Sequence, residues 1–380
     1  MEQKIITSKN DYAQLADWLA EKNCRKVFVV CDNSITFMDD LNAFFERYSR
    51  MGVTFERFGD FQPNPMYESV VNGVREYRTK GCDAIIAIGG GSAMDVAKCV
   101  KLYCHMSGNG ENGSYMKQEI IPNDIPFLAV PTTAGTGSEA TRYAVIYFQD
   151  AKQSITSDSF IPETVLMDPN ALKTLPLYQR KSTMMDALCH AIESFWSVNS
   201  NEESKRYSSE AIRMILHHME GYLSNHMEDN EGMLKAAHLA GKAINITQTT
   251  AGHAMCYKIT SLFHCAHGHA AILCDRVLFP WMINNTSRCC DPRGEAYLKN
   301  VLDEIAKAMV CNGAEEAAVK LSGIFDSLEL EIPTASEAQF EILKNSVNPV
   351  RLKNHPITLD IDTINALYHS ILNEEDNESR

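Results

Sequence analysis

Three apolar runs constrain this chain more than any other feature: residues 26–31 (KVFVVC), 83–88 (DAIIAI) and 126–131 (PFLAVP). None alternates polar with apolar, as a strand with one wet face does. Continuous apolar runs of this length suit strands covered on both faces, and such strands belong to parallel sheets flanked by helices. Residues 51–58 read as a further strand. Tyr67–Lys80 has helical spacing and is stopped by Gly81; the 83–88 run opens into Gly89-Gly90-Gly91-Ser92 and a helix through Cys104. The 126–131 run ends in a Thr/Gly-rich turn. This repetition of strand, loop and helix predicts an α/β N-terminal domain built on a parallel sheet.

The character changes after Asp168-Pro169. From Leu177 onward no segment reads as a strand, and residues 182–198, 203–223, 231–249 and 295–311 show helical periodicity. The expected division is an α/β domain at 1–176 and an all-α domain at 177–380, with the break around Leu175-Pro176. The charged tail at 373–380 (NEEDNESR) is expected to fray. No internal repeat or low-complexity tract is visible.

Composition narrows the function. Lys plus Arg total 35 against 49 Asp plus Glu, a net charge of -14, which argues against a nucleic-acid partner. No run approaches the ~20 apolar residues of a membrane span, and the first residues (MEQKIITSKNDY) do not read as a signal peptide. Twelve cysteines without metal-knuckle spacing read as free thiols in a reducing compartment. The expected location is cytoplasmic.

Two constellations carry chemistry. A strand followed by GGGS and a helix can cradle phosphate, because glycines admit the anion to the backbone and the helix N-terminus offers unpaired N–H groups. The order is not the G-x-G-x-x-G fingerprint. Asp32, at the end of the first run, could bond a ribose and repel a 2′-phosphate, favouring NAD(H) over NADP(H), or it could cap a turn. Asp186 and His190 lie four apart on a helical segment and so share a face. With histidines near Gly252-His253 and Ala266-His267-Gly268 they would form a carboxylate–imidazole set suited to Fe(II), Zn or another first-row divalent ion. His264 and His269 compete for the same role. His217, His218 and His238 have no matching partners.

Together these blocks resemble the iron-dependent (group III) alcohol dehydrogenase family. GGGSAMDVAK (89–98), PTTAGTGSEAT (131–141), DALCHAIE (186–193), and Gly252-His253 followed fourteen residues later by His267-Gly268 are similar to its four motif blocks, in order. The resemblance implies a dehydroquinate synthase-like architecture with the active site in the cleft between the domains, and a homodimer. It implies Asp186, His190, His253 and His267 as metal ligands. It places Gly90, Gly91 and Ser92 at the cofactor pyrophosphate with Asp95 close by. Thr132, Thr133, Thr141 and Lys152 fall along the cofactor groove, and Asp32 and Asn64 on its adenosine side.

One position departs from the family. Many members carry a further histidine four residues after the third ligand, and here that residue is Tyr257, followed by Lys258. Residues 244–260 are similar to the branch that reduces phosphonoacetaldehyde to 2-hydroxyethylphosphonate. A phosphonate needs cationic partners, and Lys258 and Arg142 are the expected ones, with Arg276 a third. The expectation is a metal-dependent, NAD(P)H-linked reduction of a small anionic aldehyde to its alcohol. The metal would act as Lewis acid, and Tyr257, water or the cofactor ribose would supply the proton. A dehydrogenase for an uncharged short alcohol or diol is the nearest alternative, and a lyase or cyclase on the same architecture a more distant one.

Overall fold

The computed structural model describes residues 3–149 and 151–372; the charged tail at 373–380 lies outside them. The chain divides into two compact units, Met1–Leu175 with Ser224–His238, and Pro176–Leu223 with Leu239–Arg380. The return of 224–238 to the first unit leaves no mark in the sequence, because its end at His238 falls inside one continuous helix, Met227–Thr247.

In the first unit, strands β1 (Lys4–Thr7), β2 (Lys26–Cys31), β3 (Thr54–Phe58), β4 (Ala84–Gly89), β5 (Phe127–Pro131) and β8 (Thr164–Met167) form one sheet in the order β1-β8-β5-β4-β2-β3. Every pairing in it is parallel. Strands β6 (Tyr143–Phe148) and β7 (Ala151–Thr156) form a separate antiparallel ribbon. Helices α1 (Lys9–Glu21), α2 (Asp39–Arg50), α3 (Tyr67–Lys80) and α4 (Gly91–Tyr103) cover the sheet. Phe28, Val30, Ile85 and Ala87 pack with Val70, Val74 and Val96 of α3 and α4. Their neighbours Val27, Val29, Ile86 and Ile88 pack with Leu15, Trp18, Leu41 and Phe44 of α1 and α2. Alternate side chains thus enter two different cores, and both cores are apolar. That accounts for the unbroken runs. Each such side chain contributes roughly 1.5–3 kcal/mol on burial.

The expected strand at 51–58 begins only at Thr54, because Met51 and Gly52 close the end of α2 with backbone bonds to Tyr48 and Ser49. Strands β1 and β8 were not anticipated; at four residues each they are too short to show a period. The sheet order reverses at β2, which has β3 on one side and β4 on the other. The carboxyl ends of β2 and β4 therefore flank a topological switch point, where open α/β sheets bind ligands. Asp32 and Gly89 stand there.

The second unit is built of helices α5 (Leu177–Trp196), α6 (Glu202–Leu223), the end of α7 (Met227–Thr247), α8 (Ala251–Phe263), α9 (His267–Asn284), α10 (Glu295–Ala308), α11 (Ala314–Ser327), α12 (Glu337–Ser346), α13 (Pro349–Leu352) and α14 (Ile361–Leu372). Among its described residues the only β pairing is one bridge, Cys289 to Ile357. Helix α5 packs on α6 and α9, and α9 on α8. From Met184 to Trp196 every residue of α5 is buried. No described helix is long and apolar enough to cross a membrane.

The carboxyl end of α5 is tied down by Arg293. Its Nη2 donates to Ser197 O at 2.9 Å and its Nη1 to Ser200 O at 2.7 Å, while Asp291 accepts from Nε and Nη2. The guanidinium thus satisfies carbonyls that a helix end leaves open. Arg293→Ala removes these charge-assisted bonds and leaves Asp291 buried without its cation. The expected loss is about 2–3 kcal/mol, seen as a melting temperature for the helical unit lower by about 5 °C. Arg293→Lys restores little of it, because a single ammonium cannot span both carbonyls.

Candidate metal centre and cofactor cradle

The candidate metal centre lies wholly within the helical unit, on three helices. Helix α5 contributes Asp186, His190 and, one turn further along the same face, Glu193. Helix α8 contributes His253 and α9 begins at His267. His253 and His267 are each neighboured by a glycine that the helix cannot do without. A Cβ on Gly268 would stand 2.0 Å from Ser182 O and 2.6 Å from Asp186 Cβ, and one on Gly252 would stand 1.9 Å from Asp275 Oδ1 and 2.8 Å from Glu193 Oε1. The pairs Gly252-His253 and His267-Gly268 are therefore docking points as much as donors: the glycine brings the helix to α5, and the histidine beside it arrives at Asp186.

Around Asp186 Oδ1 stand three imidazole nitrogens, His253 Nε2 at 3.4 Å, His190 Nε2 at 3.9 Å and His267 Nε2 at 4.0 Å. Asp186, His253 and His267 form a group that could hold a metal ion, and the His190 ring stacks on His253 with centroids 4.4 Å apart. A tetrahedral set of donors about 2.1 Å from an ion has edges of about 3.4 Å, so the donors fit a divalent ion after small adjustments. One carboxylate and three imidazoles suit a first-row ion better than calcium or magnesium.

Glu193 sets the orientation of His253. Its Oε1 accepts from His253 Nδ1 and from the His253 backbone N–H at 3.0 Å, and its Oε2 accepts from Thr250 N at 2.6 Å and from the Thr250 hydroxyl. With Nδ1 bonded to a carboxylate, the imidazole turns its Nε2 toward the other donors. Burial opposes charge on His253, but the Glu193 and Asp186 carboxylates outweigh it and push the imidazole up to about 10. Burial also opposes ionisation of Glu193, yet His253 and the Thr250 donors hold it down to about 2. Beside it, burial and the Glu193 charge drive Asp275 far above the carboxylate range. Two adjacent buried carboxyls therefore share one negative charge.

The other histidines are occupied elsewhere. His269 bonds Tyr178 Oη at 3.1 Å and Glu331 O at 2.8 Å, and His264 closes α8 in a left-handed conformation. His238 lies within the first unit, 3.2 Å from Glu139 Oε1. Tyr257 stacks on His267, centroids 5.3 Å apart at 18°, and burial pushes its phenol up to about 12. Lys258, the next residue, leaves α8 in a different direction. At roughly 100° per residue it departs about 140° from His253, against about 40° for Tyr257.

The cofactor cradle lies within the α/β unit. Gly89 adopts φ +153°, where a Cβ would meet Asp32 Oδ2 and Ala93 Cβ at 2.5 Å. Cβ atoms on Gly90 and Gly91 would press on Thr133 and Thr136, and Thr132 N donates to Gly89 O at 3.1 Å. The glycine tract is thus packed directly against the 131–141 loop. Gly91, Ser92 and the following residue open α4, where N–H groups lack partners within the helix. Asp32 accepts from Ser34 N at 2.9 Å, capping the turn after β2, and lies 3.4 Å from Gly90 N. Asn64 is exposed and left-handed, with φ 59°.

Asp95, expected near the pyrophosphate, and Thr141, expected along the groove, help to hold this loop. Asp95 accepts from Ser138 Oγ at 3.1 Å and Val145 N at 3.0 Å. Lys98, fully buried, donates to the Ser138 and Tyr143 carbonyls and to Thr141 Oγ1. Burial lowers Lys98 to about 8 and raises Asp95 to about 6. Lys152 sits on β7 opposite Tyr147 and acts electrostatically on Asp95. Arg142 pairs with Asp158 at 3.2 Å. Arg276 is buried over the Phe325 ring, so neither arginine matches the expectation of a cation held open for an anion.

Residues 2–169 match the family described as "Iron-containing alcohol dehydrogenase", and residues 181–372 match "Fe-containing alcohol dehydrogenase family, C-terminal". The chain is 33% identical over 285 residues to aldehyde-alcohol dehydrogenase 2 of Entamoeba histolytica; this covers 70% of the chain but only 32% of that protein, so the match spans about a third of its length. It is 29% identical over 315 residues to the phosphonoacetaldehyde reductase of Streptomyces viridochromogenes, covering 79% of each. A crystal structure of sulfoacetaldehyde reductase from Bifidobacterium kashiwanohense in complex with NAD+ superposes with a TM-score of 0.85 at 25% identity, covering 98% of each chain.

In the metal-free protein a proton occupies His253, and an incoming ion must displace it. Apparent metal affinity is therefore expected to rise about tenfold per pH unit from neutrality toward pH ~10, read by chelator competition. Glu193→Gln lowers the affinity about 10–100-fold where proton competition is absent, at high pH. It also flattens the pH dependence, because His253 loses the carboxylate that holds its proton.

Proposed function

The chain belongs to the iron-containing alcohol dehydrogenase family, and we propose that it catalyses the metal-dependent, nicotinamide-linked reduction of phosphonoacetaldehyde to 2-hydroxyethylphosphonate. The observation that carries the dehydrogenase reading is the convergence of Asp186, His190, His253 and His267 from three helices, backed by the buried Glu193. The substrate reading draws on two relatives. One is named for phosphonoacetaldehyde and the other for sulfoacetaldehyde. Both compounds are two-carbon aldehydes bearing a tetrahedral oxyanion.

When bound, the divalent ion would supply Lewis-acid polarisation of the carbonyl and the reduced nicotinamide a hydride. The residues do the rest. Asp186 and the three histidines hold the centre, and Glu193 keeps Nε2 of His253 directed into it. Tyr257, stacked on His267 and protonated at neutral pH, can donate a proton from Oη but not accept one. In the α/β unit the N–H groups opening α4 receive the pyrophosphate, and Asp32 disfavours a 2′-phosphate beside Gly90. NADH is therefore the proposed reductant and Fe(II) the proposed metal, with zinc able to occupy the same donors.

Anaerobic steady-state kinetics with Fe(II) test the proposal. Phosphonoacetaldehyde should exceed propionaldehyde in kcat/KM by ~100-fold or more; equal values would return the protein to the uncharged-substrate alternative. His267→Ala is expected to abolish turnover while leaving NADH binding, followed by fluorescence, intact. Full activity in that variant would remove His267 from the ligand set.

A further inference from the structure

An anionic substrate needs a cation, and within the helical unit the two cations expected from sequence are poorly placed for it. Arg276 is buried over Phe325, and Lys258 leaves α8 well away from the direction of His253. A different guanidinium meets the need. Arg351, on the short helix α13 that packs on α8, has its guanidinium carbon 5.9 Å from the centroid of the Tyr257 ring. That ring stacks on His267 at 5.3 Å. Two successive ring-to-group steps therefore connect the guanidinium to a candidate metal ligand.

Arg351 is held in place. Its Nη1 donates to Thr249 Oγ1 at 3.2 Å, just before α8 begins. Three residues on, Asn354 Nδ2 donates to Thr249 O at 3.2 Å and to Gln248 Oε1 at 3.1 Å, and Asn354 Oδ1 accepts from Asn199 at 3.0 Å. The turn carrying the arginine is thus bolted to the amino end of the helix that carries His253 and Tyr257. A guanidinium fixed in this way loses little rotamer freedom when it binds.

Charge completes the case. Arg288 and Arg293 each have a carboxylate partner, Asp360 and Asp291. Among the described residues no carboxylate lies within 4.0 Å of Arg351. Arg351 is half-buried over the Tyr257 ring, with donors to spare.

We propose that Arg351 selects the substrate by binding a tetrahedral oxyanion, phosphonate or sulfonate, on an aldehyde whose carbonyl lies at the metal centre, with Tyr257 as the wall between the two ends. The assignment rests on the anionic-aldehyde reading above. The guanidinium offers a planar fork of donors to the oxyanion and takes no part in hydride or proton transfer. Because the arginine is fixed relative to His267, the spacer between carbonyl and anion must be short.

The test uses the Fe(II)-loaded enzyme with NADH and three aldehydes: phosphonoacetaldehyde, sulfoacetaldehyde and propionaldehyde. The readout is the ratio of kcat/KM for each anionic aldehyde to that for propionaldehyde, so folding and metal loading cancel. Arg351→Met should lower the ratio ~30-fold or more, mainly through KM, and Arg351→Lys should restore part of it. Which ratio is larger in the wild type distinguishes the phosphonate from the sulfonate. If the wild type prefers an anionic aldehyde and Arg351→Met keeps that preference, the assignment to Arg351 is wrong and the substrate reading stands. An equal loss on all three aldehydes would mark Arg351 as structural and overturn the assignment. A wild type that favours neither anion sinks the substrate reading and this assignment with it.

Discussion

The carboxylate of Glu193 is the interaction on which the helical unit's chemistry depends. It is fully buried, and it accepts from two consecutive structural features, the Thr250 end of α8 and the His253 ring one turn into it. An ionised carboxylate survives without water only where donors replace the lost hydration. Here N–H groups at the start of α8 that have no partner within the helix supply them, with the dipole of that helix in the favourable direction. The same bonds that make the charge tolerable fix the position of α8 against α5 and the tautomer of His253. Fold and site are stabilised by one set of contacts.

The glycines beside the histidines follow from this packing. Helices meeting at ordinary side-chain separation could not bring nitrogens from α8 and α9 within 4.0 Å of one carboxylate on α5. Gly252 and Gly268 remove the side chains at the crossing points, and Asp275 fills the space beside Gly252 as a neutral acid. If Asp275 were ionised, two carboxylates would face each other across the same small gap.

The α/β unit solves a related problem with the opposite charge. Lys98 lies buried under the 131–141 loop, and its ammonium is satisfied by carbonyls and hydroxyls of that loop with Asp95 close enough to stabilise it. The glycine tract and the loop are then pressed together, leaving the amino end of α4 as the place where N–H groups have no internal partner. Asp95 and Thr141, which family resemblance places near the pyrophosphate and along the cofactor groove respectively, spend their polar atoms on shaping the loop.

The α/β character of the first half was legible because residues buried on both faces of a sheet must be apolar at every position, and β4, β5 and β2 beyond its first residue, Lys26, are. Asp186 and His190 were legible as a pair because helical spacing alone puts them on one face. The family blocks extended this to His253 and His267. Glu193 was within reach by the same spacing, since it lies seven residues from Asp186, but nothing local says which buried donors it will meet. Arg351 could not be found along the chain at all. It reaches Tyr257 only because α13 folds back onto α8, and many intervening residues carry no trace of that contact. Sequence by itself thus determined the periods, the strand burial and the kinds of donor available, all of which are local physics. Tertiary packing decided which donors converge, which carboxyl keeps its proton and which cation lies over the Tyr257 ring, because those depend on distances between segments that only the folded chain brings together.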